Sequence, residues 1–393
     1  MTATPTPAAG QGVTAARGFR AAGVTAGIKQ SGTPDLALVV NDGPSLAAAG
    51  VFTGNRVKAA PVLWSEQVLK GGLVSAVVLN SGGANACTGP LGFQDTHATA
   101  ERAAEALGLN AGEIAVCSTG LIGERLPMAK LLPGVDQAAK ALDADGGEAA
   151  AVAIKTTDTV HKTAAVTVDG WTVGGMAKGA GMLAPGLATM LVVLTTDAAV
   201  DSAGLDAALR AATRTTFDRI DSDGCMSTND TVLLLASGAS GTAPDPAAFA
   251  EAVRAVSADL ARQLIGDAEG ASKDIRIDVT GAATEEDAVQ VARTVARNNL
   301  LKCAIHGEDP NWGRVLSAIG TTSAVFDPDE LDVAINGVLV CRAGQTGEDR
   351  NLVDMSAREV VISADLHAGS ATATVWTNDL TADYVHENSA YST

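Results

Sequence analysis

The sequence predicts an α/β protein built as an α+β layered sandwich, on three observations. Short apolar runs recur between turn residues, as strands do. They alternate in blocks with Ala-rich helical stretches, as in stacked layers. Hydrophobic residues make up 47% of the chain and charged residues 18%, a globular balance, and 393 residues suffice for two lobes. Aromatics are only 3%, so the core has to be built from Ala, Val, Leu and Ile.

The first strands are read at 36–40 (LALVV), 48–52 and 73–79 (LVSAVVL), bounded by Gly, Asn and Ser. A polar loop over 80–89 leads to a helix over 97–109, with Thr96 as its expected cap. A strand over 114–117 runs into Ser118, Thr119 and Gly120. Residues 136–152 read as helical with a break at Gly146-Gly147, and 166–173 as a hairpin turning at Asp169-Gly170. A glycine-rich loop is expected over 174–186, then a strand over 190–195 (MLVVLT). Helices follow over 205–216, 246–265 and 285–300, with strands over 231–236, 275–280, 331–339, 360–366 and 371–376. No fixed-period repeat is present, and the pattern leaves the strand order open.

The formal net charge is −18, with no Lys/Arg cluster. Such a surface repels phosphate backbones and anionic membranes, so neither nucleic acid nor membrane is an expected partner. An anionic small molecule then needs a local cation, which draws attention to each Lys or Arg in a glycine-rich loop. The five cysteines (Cys87, Cys117, Cys225, Cys303, Cys341) are scattered and odd in number, which predicts reduced thiols rather than a disulfide framework. Neither they nor the five histidines show metal-ligand spacing, so no metal and no cofactor is expected. The first residues lack an apolar signal core and no run is long enough to cross a bilayer, which predicts a cytoplasmic location.

The segment 178–191, KGAGMLAPGLATML, combines three features. Its glycines permit unusual backbone angles, a small residue precedes a hydroxyl residue, and a strand begins at that hydroxyl. A Thr hydroxyl in a distorted turn can attack the preceding carbonyl and give an ester that water hydrolyses. Cleavage between Ala188 and Thr189 would leave fragments 1–188 and 189–393. The freed Thr189 would carry its own base, an α-amino group with an ordinary pKa of about 7.7–8. On spacing alone, the same segment also reads as an ordinary loop before an apolar strand.

The segment resembles the junction of the ornithine acetyltransferase (glutamate N-acetyltransferase) family, which is processed before the Thr of a K-G-x-G-M…A-T-M-L motif. Further stretches resemble that family in its order: FTGNRVKAAPV at 52–62, NSGGANACTG at 80–89, STGLIG at 118–123 and TTDT at 156–159. DAEGASK at 267–273, HGEDPNWGR at 306–314 and NSAYST at 388–393 complete the set, which covers nearly the whole chain. Gly83 departs from the family's NSGNAN form. The resemblance implies a self-processed chain with two intertwined fragments, N-terminal-nucleophile catalysis and an assembly of two α and two β chains. It also implies transfer of acetyl from N2-acetylornithine to glutamate in arginine biosynthesis, with acetyl-CoA as an alternative donor in some members.

By the same resemblance, Thr189 is the nucleophile of both cleavage and transfer, and Thr119 and Gly120 form the oxyanion hole. Read alone, Ser118-Thr119-Gly120 is a turn. Lys178 is expected to contact substrate, its alternative being a solvated loop lysine. Glu269 suits an ornithine ammonium, or else is a surface Glu at a helix end. Thr156 or Thr157 supplies one substrate contact, and Asn388 and Thr393 in the tail reach back to the site. His306, Asn311, Trp312 and Arg314 read as structural, and Cys117 as a buried inert thiol. Two other readings remain open at this point: an aminopeptidase-type hydrolase with an N-terminal nucleophile, and a binding protein that keeps the loop whole.

Overall fold

Aliphatic and β-branched runs make the strands, and the glycine-bounded segments between them make the turns. The computed structural model describes residues 6–7, 12–184 and 190–390, and these group into two units. The first holds described residues up to Asp218 together with Cys225–Asp267, and the second holds Arg219–Gly224 and described residues from Ala268 onward.

In chain order the first unit contains β1 (Thr6–Pro7), β2 (Phe19–Val24), β3 (Leu36–Asn41), β4 (Ala48–Phe52), α1 (Ala60–Val68), β5 (Ala76–Ser81), α2 (Gly89–Leu107) and β6 (Ile114–Thr119). It continues with α3 (Met128–Lys140), α4 (Gly147–Ala153), β7 (Lys162–Val168), β8 (Trp171–Lys178), β9 (Leu191–Thr196), α5 (Ser202–Thr215), β10 (Thr231–Ala236) and α6 (Pro246–Gly266). One sheet has the order β2-β3-β5-β6 and the other β1-β7-β8-β9-β10-β4. Alternate residues sort to opposite faces. Val39, Leu79 and Cys117 of the first sheet meet Met176, Leu191, Val193 and Leu233 of the second in a core between the sheets. Leu38, Val78 and Val116 face outward onto Ala100 and Ala103 of α2 and Leu131 and Val135 of α3. Helices α5 and α6 pack against the second sheet, and the unit is a helix–sheet–sheet–helix sandwich as the residue pattern predicts.

The expected cleavage point lies between two neighbouring strands of one sheet. β8 pairs antiparallel with β9, Lys178 opposite Leu191, and β9 pairs parallel with β10. Residues before 189 supply β1, β4, β7 and β8, and residues after it supply β9 and β10.

Several expected boundaries move. The glycine-rich loop is shorter than predicted, because β8 continues through Gly174 and Gly175 to Lys178. Gly174 is needed there: a Cβ would lie 2.2 Å from the Gly12 carbonyl oxygen. Thr96 is no cap; α2 begins at Gly89, and the buried Thr96 hydroxyl bonds back to the Gly92 carbonyl. The helix read over 136–152 is two helices, separated ahead of Gly147, and the hairpin turns at Asp169-Gly170, both residues at positive φ.

The second unit holds β11 (Asp274–Ala282), α7 (Glu285–Ala296), α8 (Asn299–His306), α9 (Trp312–Ile319), β12 (Asp332–Ile335), β13 (Val338–Arg342), β14 (Gln345–Thr346), β15 (Glu359–Asp365), β16 (Ala371–Asn378) and α10 (Ala382–Ala390). Its sheet runs β14-β13-β12-β15-β11-β16. Ile275, Ile277, Ile362 and Val375 bury one face with Val291 and Val295 of α7. The run read as one strand over 331–339 is a hairpin turning at Asn336-Gly337, both at positive φ. The helix read over 285–300 ends at Ala296, and Asn298 caps a new helix by accepting the Leu301 N–H.

Candidate active site

Strand β6 delivers Ser118 and Thr119 to the end of its sheet, where the loop after β5 is bolted onto them. The Gly82 and Gly83 N–H groups both donate to the Thr119 carbonyl (2.9 and 3.0 Å). The Ser118 hydroxyl donates to Asn80 Oδ1 (2.6 Å), and Asn229 Nδ2 donates to the carbonyls of Ala84 and Ser118 (2.6 and 2.8 Å). Gly120 follows at φ +128°, and a Cβ on it would sit 2.5 Å from the Gly83 nitrogen, so only glycine fits. At Gly83 a Cβ would first meet Leu126 Cδ2 at 2.8 Å, a movable group, and the bond this residue gives to Thr119 comes from its main-chain N–H.

Two of the expected site residues meet directly. Lys178 Nζ donates to Thr119 Oγ1 at 3.2 Å, and both residues are buried, 2% and 3% exposed. Lys178 is the last residue of β8 rather than a solvated loop lysine. A hydroxyl that accepts from an ammonium turns its own proton elsewhere, which suits an oxyanion donor.

The TTDT stretch supplies the counter-charge. Asp158 accepts from Lys162 Nζ and from the Gly179 N–H through Oδ1 (2.7 Å each), and from the Thr156 N–H through Oδ2 (3.0 Å). Burial pushes the Asp158 pKa up, but Lys178, Lys162 and the Gly179 N–H outweigh it and bring it down to about 2. Lys162 is fully buried and reaches Asp267 as well (2.6 Å). The start of the DAEGASK stretch is thereby tied to TTDT, with the Thr159 hydroxyl also on Asp267. Thr156 and Thr157 are half-buried beside these groups.

Two further expected residues come together in the second unit. Asn388 Nδ2, on α10, donates to Glu269 Oε2 at 2.9 Å and to the Tyr384 carbonyl at 3.0 Å. Gly270 at φ +61° lets the chain pass under α10, since a Cβ would lie 2.2 Å from the Tyr384 nitrogen. His306 Nδ1 pairs with Asp379 Oδ2 (3.0 Å), and Glu308 takes Lys273 Nζ (2.7 Å).

Comparison with known proteins gives the same family as the motifs. A family model described as the ArgJ family matches residues 20–393. The arginine biosynthesis bifunctional protein ArgJ of Streptomyces avermitilis is 78% identical over 380 residues, 97% of this chain and 99% of that protein. The protein of the same name from Mycobacterium leprae is 59% identical over 390 residues, 97% of this chain and 96% of that one. The chain belongs to the ArgJ family. A crystal structure of ornithine acetyltransferase complexed with ornithine, from Mycobacterium tuberculosis, is 61% identical where 48% of this chain matches all of that one, with a TM-score of 0.46.

Of the residues expected to act in this ArgJ-family chain, Ala188, Thr189 and Thr393 lie outside the described residues. Sequence reasoning missed two titratable groups. Lys29 donates to the carbonyls of Pro34 and Lys155 (3.1 and 2.5 Å). Burial, aided by Lys178 and Lys155 and opposed by Asp35 and Asp158, lowers its pKa to about 8. Asp230, fully buried ahead of β10, accepts the Met190 N–H at Oδ1 (3.2 Å). Neither carries a local sequence signal. Cys117 lies in the core between the sheets, and burial pushes its pKa up to about 12 against the pull of Thr231, which fits the expected inert thiol. Among the described residues no group of three or more His, Cys, Asp and Glu could hold a metal ion, and no helix is long and apolar enough to cross a membrane.

Proposed function

We propose that the chain cuts itself between Ala188 and Thr189, and that Thr189 then carries acetyl from N2-acetyl-L-ornithine to L-glutamate. In the first half-reaction the Thr189 hydroxyl attacks the acetyl carbonyl and its proton passes through the α-amino group to the leaving ornithine nitrogen. The glutamate amine then attacks the Thr189 ester, and the hydroxyl is restored. Two half-reactions at one site make a ping-pong cycle.

The observation that carries this reading is the buried contact between Lys178 and Thr119. It leaves the Thr119 proton and the Gly120 N–H as donors for the oxyanion in both half-reactions, at the strand end from which the junction segment departs. Glu269, paired with Asn388, is the acid for the ornithine ammonium, with Thr156 or Thr157 and Thr393 completing the substrate contacts. The two fragments, sharing one sheet, stay together as α and β chains, and two of each form the assembly, in the cytoplasm. The word bifunctional in the relatives' name directs a second assay, acetylation of glutamate from acetyl-CoA.

The test is isotope exchange. Labelled ornithine should enter N2-acetylornithine in the absence of glutamate, because the acetyl group waits on Thr189. Exchange that requires glutamate refutes a ping-pong cycle, and release of acetate instead of transfer would favour the hydrolase reading.

A further inference from the structure

In the second unit, the stretch 269–273 that carries Glu269 is held by side chains from distant parts of the sequence. The Ser272 and Lys273 N–H groups both donate to Asp379 Oδ1 (2.9 Å each), and the Ser272 hydroxyl donates to Asp379 Oδ2. Asp379 comes directly after β16, and its side chain is fully buried. His306, the last residue of α8, brings Nδ1 to the same Oδ2 at 3.0 Å. A carboxylate only accepts, so Nδ1 carries the proton there. Lys273 Nζ in turn donates to Glu308 Oε1 (2.7 Å) and to the Met355 and Ala357 carbonyls (2.6 and 3.1 Å).

Ser272, His306 and Asp379 are the residue types of a nucleophilic triad, but their connectivity is different. A triad sets nucleophile and acid on opposite imidazole nitrogens, whereas here the Ser272 hydroxyl (3.2 Å) and Asp379 share Nδ1. The cluster holds a loop and activates nothing. The same loop is fastened to the start of α10 by one hydroxyl. Thr381 donates to the Gly270 carbonyl (2.6 Å) and caps α10 by accepting the Tyr384 N–H (2.9 Å). Asn388 stands seven residues on (388 − 381), about two helical turns, and so on the face of α10 that Thr381 anchors, where it meets Glu269 (2.9 Å).

We propose that Asp379, held by His306, is a positioning residue that presents Glu269 to the side-chain ammonium of N2-acetylornithine. The proposal rests on the reading of Glu269 as the partner of that ammonium. With the chain fixed at residues 270, 272 and 273, the Glu269 carboxylate meets its cation with little further ordering, and preorganisation of this kind appears as affinity. The effect belongs to one half-reaction only. The acceptor, glutamate, carries a carboxylate where the donor carries the ammonium, so it gains nothing from a well-placed Glu269. His306 and Glu308, in the HGEDPNWGR stretch, thereby serve substrate choice through Asp379 and Lys273.

The experiment measures kcat/KM for N2-acetylornithine and for glutamate separately in the full-length protein, because in a ping-pong cycle each value reports its own half-reaction. Asp379→Asn keeps the Oδ1 that accepts both N–H groups, but its amide nitrogen cannot accept from Ser272 and His306. Its kcat/KM for N2-acetylornithine should fall about tenfold or more, while that for glutamate stays near wild type. His306→Ala should show the same split, and His306→Asn, which can place an N–H where Nδ1 was, should recover most of the loss. Equal losses for both substrates mean a general structural role and overturn the proposal, as does a wild-type value for the donor. If Asp379→Asn does not fold, His306→Ala decides by the same criterion, since that side chain is exposed. Glu269→Gln is measured alongside. A wild-type donor value there sinks the reading of Glu269 itself, whereas a donor-specific loss that neither Asp379→Asn nor His306→Ala shares overturns the positioning role alone.

Discussion

Replacing Thr119 by Val removes one hydroxyl and almost no volume. In the structure that hydroxyl accepts from Lys178 at 3.2 Å in a site closed to solvent, so its proton is free to meet a developing oxyanion. Loss of one such donor costs about 10²–10³ in kcat, or roughly 2.7–4 kcal/mol of transition-state stabilisation. The substitution also takes one charge-assisted hydrogen bond from the buried ammonium, worth about 1.5–3 kcal/mol of stability. Thr119→Ser keeps the hydroxyl and should keep most of the rate. Lys178 donates to the Thr119 hydroxyl, so on the proposed oxyanion role Lys178→Met added to Thr119→Val should lower kcat by less than the product of the two single effects. The assay is acetyl transfer from N2-acetylornithine to glutamate, with kcat counted per processed site from intact mass. A fully processed Thr119→Val enzyme that turns over at the wild-type rate refutes the oxyanion role.

Gly120→Ala should lose on the order of 1–3 kcal/mol from the positive φ alone, and more from the close approach of the Gly83 nitrogen, read as a lower Tm and poorer soluble yield. An unchanged Tm would contradict the backbone geometry. Asp158 has a folded pKa of about 2, below its ordinary value of 3.8, so its ionised form adds stability above about pH 4 that is lost as pH falls towards 2. Asp158→Asn should flatten that acid loss, and at neutral pH it should cost about 3–5 kcal/mol by breaking a buried pair with Lys162. Denaturation curves at several pH values read both effects, and a parallel pH dependence in the variant would contradict them. Iodoacetamide at pH 8 should label the exposed Cys87, Cys225 and Cys303 in the folded protein and spare Cys117, whose thiol is buried and held neutral. Rapid labelling of Cys117 would show that the core between the sheets opens readily.

The layered fold was legible because its strands are short aliphatic runs with clear glycine and asparagine punctuation. Misreadings fell where packing overrides a local signal. Gly174 and Gly175 look like loop residues, yet they sit in β8, where the Gly12 backbone comes too close to Gly174 and the Leu194 side chain too close to Gly175 for a Cβ. Asn336-Gly337 and the Asn298 cap were readable turn and cap signals, hidden inside runs that matched a longer strand and a longer helix. The motifs singled out Thr119, Lys178, Glu269 and Asn388 one by one, without showing which of them meet. Thr119 and Lys178 are 59 residues apart, and only the order of strands in two stacked sheets brings them together. Asp230 and Lys29 lie in stretches without periodicity or motif, where nothing local distinguishes a buried titratable group from a surface one.

The central claim, that Thr189 is a freed N-terminal nucleophile, is tested most directly by intact-mass analysis of the denatured wild-type protein beside Thr189→Ala. The account predicts wild type as two pieces of 188 and 205 residues (393 − 188), with the variant whole. Incubation with N2-acetylornithine should add one acetyl group to the second piece only. A single uncut wild-type chain that still transfers acetyl would contradict it.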